Sequence, residues 1–187
     1  SDYEDKISKL GQENINLRAK VKELETRLDD SEQYSRVNCL EINGIPERNQ
    51  EDVPELVKKV GNNLGCPIND DMIDACHRLG MRQEGRTRGI IVKFVRRSIK
   101  EDLLQKRKVK RNFNTRDIGF LDGNAELVYI NESLNQARRK VLNAARAVKK
   151  EKGYTFLWVK NGKVFLRKKE GDKAIVLTNL EQVATLQ

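Results

Sequence analysis

Between Ile7 and Leu28 the apolar positions fall at alternating intervals of three and four, a stripe that one helix cannot bury on itself. With Ile7 as position a, the a set is Ile7, Asn14, Val21 and Leu28, and the d set is Leu10, Leu17 and Leu24. The flanking charges specify the partner. Position g carries Lys6, Glu13, Lys20 and Arg27, while position e carries Arg18, Glu25 and Glu32. In a parallel pair, g of one helix meets the next e of the other. The couples are Glu13–Arg18, Lys20–Glu25 and Arg27–Glu32, all opposite in sign. An antiparallel pair matches g with g and e with e, and produces no such series. Leucine at d with a single Asn14 at a favours two strands. The competing reading is an amphipathic helix that packs on its own domain. The sequence predicts a parallel coiled coil over residues 1–35, with the chain itself as partner.

The next segment, 36–131, alternates strand and helix signals. Val37–Ile42 is a β-prone run stopped by Asn43-Gly44-Ile45-Pro46. Asp52 and Glu55 form a capping box before a helix with Leu56, Val57, Val60 and Leu64 on one face, ended by Gly65. Met72–Leu79 reads as a strand, Gly80–Gly85 as a hairpin, and Gly89–Val95 as the strongest strand of the chain. Ser98 with Glu101 predicts a second capped helix, and Glu126–Ile130 a last strand. The order βαββαβ is the ferredoxin-like layout used by RNA-recognition domains. Those domains stack bases on sheet aromatics, whereas here Glu41 and aliphatic Ile90-Ile91-Val92 hold the central strands. The expected domain is a non-standard member of that class.

Charge is sharply segregated. Twelve Lys/Arg stand against two acids from Arg86 to Arg116, and twelve against one from Arg138 to Lys169, while the whole chain carries +9. The remaining segments are therefore acidic, and the basic ones point to a polyanion as ligand. Candidate phosphate contacts in the first stretch are Arg86, Arg88, Arg96, Arg97 and Lys100, and the run Lys106-Arg107-Lys108-Val109-Lys110-Arg111. That run also has the shape of a nuclear-import signal. Three separated cysteines, Cys39, Cys66 and Cys76, fit a reducing compartment better than a disulfide framework. One histidine and no Cys-x-x-Cys pair argue against a metal site or a His-based triad, and no cofactor loop is present. The sequence reads as an intracellular, non-secreted, non-enzymatic chain, cytoplasmic or nuclear, without a membrane span.

The third segment, 132–187, is a small basic α+β domain. Asn131 is placed to cap a helix to about Lys150, with Leu134, Ala137, Val141, Ala144, Ala145 and Val148 inward and Arg138, Arg139, Arg146, Lys149 and Lys150 outward. Asn161-Gly162 between alternating runs predicts a type I′ hairpin pairing Lys160 with Lys163 and Trp158 with Phe165. Leu157, Val159, Val164 and Leu166 fall on one face; Phe156, Trp158, Phe165, Lys160, Lys163 and Arg167 fall on the other. The second face combines stacking rings with phosphate-binding cations. The competing reading is that the same rings form a second buried layer under the C-terminal segment, the commoner place for large aromatics in small domains. Ala174–Leu177 and Leu180–Leu186 predict a third strand and a closing helical turn.

Asn38-Cys39-Leu40-Glu41-Ile42-Asn43-Gly44-Ile45-Pro46-Glu47, then Arg88–Phe94, then Asn135-Gln136-Ala137-Arg138-Arg139, resemble in order the first open-reading-frame proteins of LINE-type retrotransposons. Lys160-Asn161-Gly162-Lys163-Val164 resembles even more closely the baculovirus few-polyhedra protein family. The resemblance implies a non-enzymatic protein that coats single-stranded RNA and acts as a chaperone, with Arg138 and Arg139 as RNA contacts. Mammalian retrotransposon proteins trimerise through Arg-hydrophobic-x-x-hydrophobic-Glu repeats. In Arg27–Glu32, Ser31 takes the second hydrophobic place, so the seam points to a dimer over a trimer.

The expected function is oligomeric, sequence-tolerant binding of single-stranded RNA or DNA. The alternative is a few-polyhedra-type structural or adaptor protein that holds a nucleocapsid or an acidic protein. At micromolar concentration, light scattering should return a mass of two chains; a monomer sinks the oligomer reading.

Overall fold

A capping box precedes the first helix. The Ser1 hydroxyl accepts from the Glu4 amide, and the Glu4 carboxylate accepts from the Ser1 amine at 2.8 Å. Helix α1 then runs unbroken over Asp2–Tyr34. The computed structural model describes residues 1–187 in two units, Ser1–Ser35 and Arg36–Gln187. In the first unit, Ile7, Leu10, Leu17, Val21, Leu24 and Leu28 are between 49% and 69% exposed, so the seam is bare. No helix of the chain is long and apolar enough to cross a membrane.

In the second unit the chain forms β1 (Cys39–Asn43), α2 (Val53–Asn63), β2 (Ile73–Arg78), β3 (Ile90–Phe94), α3 (Arg97–Val109) and β4 (Tyr129–Glu132). It continues with α4 (Gln136–Lys152), β5 (Phe156–Lys160), β6 (Lys163–Arg167), β7 (Ile175–Leu177) and α5 (Leu180–Ala184). The class is α+β with two antiparallel sheets, ordered β2-β3-β1-β4 and β5-β6-β7.

The first sheet buries one face by simple alternation. Leu40, Ile42, Ile90, Val92, Phe94 and Ile130 point to the helices, where Leu56, Val57 and Val60 of α2 and Leu103 of α3 meet them. The other face carries Glu41, Ile91, Lys93 and His77. A second apolar cluster of Val141, Ala145, Tyr154, Val164, Leu166, Leu177 and Val183 lies between α4 and the three-stranded sheet. We call the surroundings of these clusters the first and second lobes.

Four local expectations shift. The cap of α3 is Arg96, without a side-chain bond, and Ser98 lies inside the helix. The last strand of the first sheet is Tyr129–Glu132, because Leu127 is held instead by an isolated bridge to Asn114. Consequently Asn131 is a strand residue, and Asn135 caps α4 by accepting from the Arg138 amide at 2.8 Å. Ala137 is exposed, whereas Leu134 is buried ahead of the helix. The hairpin adopts the register its two-residue turn dictates, from Lys160↔Lys163 to Phe156↔Arg167.

Gly44 ends β1 at φ +99°, and a Cβ there would run into the Leu127 carbonyl oxygen. Gly153 caps α4 at φ +72° with open space around it. Gly153→Ala should cost about 1 kcal/mol by backbone strain alone. Gly44→Ala should cost clearly more, about 3 kcal/mol, in denaturant unfolding, since the Leu127 backbone must also move.

Candidate nucleic-acid interface

The outer face of the second sheet keeps its rings out of the core. Phe156, Trp158 and Phe165 are half-buried and belong to neither apolar cluster. Trp158 and Phe165 stack as a cross-strand pair, centroids 5.3 Å apart and planes within 7°. The Arg167 guanidinium sits 4.4 Å from the Phe156 centroid and 5.9 Å from that of Trp158. Its Nε is buried without a hydrogen-bond partner. Val176, opposite Phe165 on β7, is 37% exposed, and Lys160 and Lys163 are exposed at the turn. The C-terminal segment does not cover these rings: Val183 and Leu186 pack into the other side, with Val164 and Leu166.

The turn of this hairpin is where the two basic stretches meet. Arg97, in the first turn of α3, donates to Asn161 Oδ1 at 3.1 Å and pairs with Glu101 at 3.0 Å. Arg138 donates to the Gly162 carbonyl at 2.9 Å. Glu132 joins Lys100 at 2.9 Å and accepts from the Gly162 amide at 3.3 Å. On the outer face of the first sheet, Glu41 accepts from Arg139 at 2.8 Å and from the Ser133 hydroxyl at 3.2 Å. Arg36 in turn donates to Ser133 Oγ at 3.0 Å. Glu41 thus anchors the first turn of α4. Arg139 remains half exposed.

The predicted cations sort unevenly. Lys100 is buried against Glu132, a correction to its placement at the surface. Arg88 is clamped by Glu47 and donates to the Gly80 carbonyl. Arg107 donates to the Val128 and Lys110 carbonyls beside the Phe113 ring. Arg86, Arg96, Lys106, Lys108, Lys110, Arg111, Arg146 and Lys150 are exposed, and Lys149 is half-buried. The run Lys106–Arg111 begins about 14 Å along α3 from Arg97, at 1.5 Å per residue, and continues past the helix end.

The sequence reading missed Glu41, Glu132, Ser133 and Arg36 as organisers of this region. One signal was available. Had β4 been extended by two residues, alternation from Ile130 would have put Glu132 on the core side, where a carboxylate demands a cation.

Residues 135–187 match the family described as Baculovirus FP protein domain 2. The FP domain 2 match spans α4, β5 to β7 and α5, hence all of the aromatic face. It supports the few-polyhedra resemblance at family level and gives no support to the retrotransposon one. No curated protein matches the chain.

In the first lobe, the 45–51 loop is tied to the first sheet by ion pairs along a cleft of about 750 Å³. Arg78, nearly buried, donates to both Glu51 oxygens at 2.7 and 3.0 Å and to the carbonyls of Ile45, Pro46 and Arg88. The hydrogen bond from Arg88 holds the Glu47 carboxyl below the usual carboxylate range. Burial raises that of Glu51, but the bonds from Arg78 and the Arg48 amide and the Arg78 charge together bring it lower. Both groups bind protons more weakly when folded. Their stabilisation is therefore full above the usual Glu range, near pH 4.3, and is lost as pH falls through the folded values. The thermal midpoint should decline below about pH 4. Glu47→Gln should flatten that decline; an unchanged slope would contradict the assignment.

Proposed function

We propose that the chain is a self-associating, few-polyhedra-type protein that binds single-stranded nucleic acid, RNA or DNA, through its second lobe and the adjoining edge of α3. The observation that carries this is the outer face of the second sheet. Phe156, Trp158 and Phe165 stay outside the core while Arg167, Lys160 and Lys163 share their face. Stacking rings with cations alongside suit single strands, because unpaired bases offer π-faces and phosphates together. The element order βαββαβ and strand order β2-β3-β1-β4 favour a ferredoxin-like first lobe. Its sheet lacks a stacking platform, so its part is phosphate contact from Arg96, Arg97, Lys106 and Lys108. The bare seam of α1 favours pairing of copies, which multiplies weak sites into avidity.

A second reading is favoured by the family match: a viral structural or adaptor protein whose basic surfaces hold an acidic protein or a nucleocapsid. An acidic protein lacks stacked bases, so the ring face separates the two readings.

Salt-titrated binding to single-stranded RNA, single-stranded DNA and duplex decides between them. With six to ten phosphate contacts, affinity should fall about 10³- to 10⁵-fold from ~50 to ~200 mM salt. Trp158→Ala should cost about 1–3 kcal/mol without changing the salt slope. Lys160→Ala/Lys163→Ala should lower the slope by about two. Absence of binding at ~50 mM salt defeats the nucleic-acid reading.

A further inference from the structure

Glu132 stands where a carboxylate is costly. The β1–β4 register sets it opposite Leu40, on the helix side of the first sheet, and its side chain is 9% exposed. Lys100 of α3, 3% exposed, lies 2.9 Å away. Such a buried pair contributes little net stability, because desolvation offsets the attraction. Its second oxygen points to another role. It accepts from the Gly162 amide at 3.3 Å, and Gly162 is itself buried. Arg97 holds Asn161 Oδ1 and Arg138 holds the Gly162 carbonyl. The hairpin turn is therefore gripped from α3, from β4 and from α4. The link between lobes, Ser133-Leu134-Asn135, is buried throughout.

We propose that Glu132 is a positioning residue that latches the β5–β6 turn onto the first lobe, holding Lys160 and Lys163 beside Arg97 as one cationic edge of fixed spacing. What that edge binds rests on the nucleic-acid reading; the latch itself does not. A strand long enough to touch both lobes meets a preorganised site and pays the ordering cost once. A strand short enough to touch one lobe gains nothing from the latch.

Lys100→Met/Glu132→Leu tests this. It replaces the buried pair by apolar groups of similar size, a change that folded proteins tolerate, and it removes the acceptor for Gly162. Two measurements follow: exchange of the Gly162 amide, and affinity for single-stranded RNA of about six and about twenty nucleotides. The expected result is amide exchange about tenfold faster, about tenfold weaker binding of the long strand, and unchanged binding of the short one. Unchanged amide exchange overturns the latch. Equal losses for both lengths overturn the positioning role. If the wild-type chain binds neither strand while the variant frees the Gly162 amide, the latch stands and the nucleic-acid reading falls.

Discussion

A carboxylate and an ammonium buried together leave little freedom to the chain around them, because every remaining lone pair and proton must be satisfied in place. The Lys100–Glu132 pair imposes this on the second unit. β4 has to continue through Glu132 for the carboxylate to face α3, so α4 cannot begin before Asn135. The three residues between are buried, and Ser133 completes its bonding with Glu41 and Arg36. The spare lone pair of Glu132 goes to the backbone of a hairpin thirty residues later. One ion pair thus sets the end of a strand, the start of a helix and the seating of a turn.

Several arginines bond within the molecule, while Arg86, Arg96, Arg111 and Arg146 stay exposed. Much of the guanidinium capacity is used inside the molecule. Arg78 fixes the 45–51 loop, Arg88 engages Glu47, Arg107 closes carbonyls near Phe113, and Arg116 gathers the carbonyls of Phe120, Asp122 and Gly123. This follows from geometry: a planar fork of donors serves several acceptors at once, where an ammonium acts as a point charge. Most of the lysines in the two basic stretches stay exposed, Lys106, Lys108, Lys110, Lys150, Lys160 and Lys163 among them.

Where a local rule has one solution, the sequence was legible. The Asn161-Gly162 turn requires positive φ at both residues, and it fixed five cross-strand pairs without error. The apolar alternation of β1 and β3 and the Asp52 cap were equally readable. What failed depended on distant partners. Ser98 with Glu101 has the spacing of a capping box, yet the helix starts one residue before Ser98. Lys100 sits among basic neighbours and looks solvated, but the face of α3 that it occupies is the one Leu103 buries. Glu41 fell where an aromatic was sought, and its use became visible only once α4 was seen to bring Arg139 against it. Charge counts locate basic segments; they do not reveal which cations are already spoken for.

The turn at Asn161-Gly162 also sets a clock. In an Asn-Gly pair, the glycine nitrogen can attack the asparagine side-chain carbonyl, expelling ammonia and closing a succinimide that opens largely to isoaspartate. Here both reacting groups are engaged, the Gly162 nitrogen by Glu132 and the Asn161 carbonyl oxygen by Arg97. These contacts restrain the rotation that brings the Asn161 side-chain carbon over the Gly162 nitrogen, so ring closure is slower while the turn is seated. Isoaspartate at this position in an ageing sample would therefore count the time spent unseated, and each event would leave a negative charge beside Lys160 and Lys163. The chemical lifetime of this cationic turn is tied to the same contacts that place it.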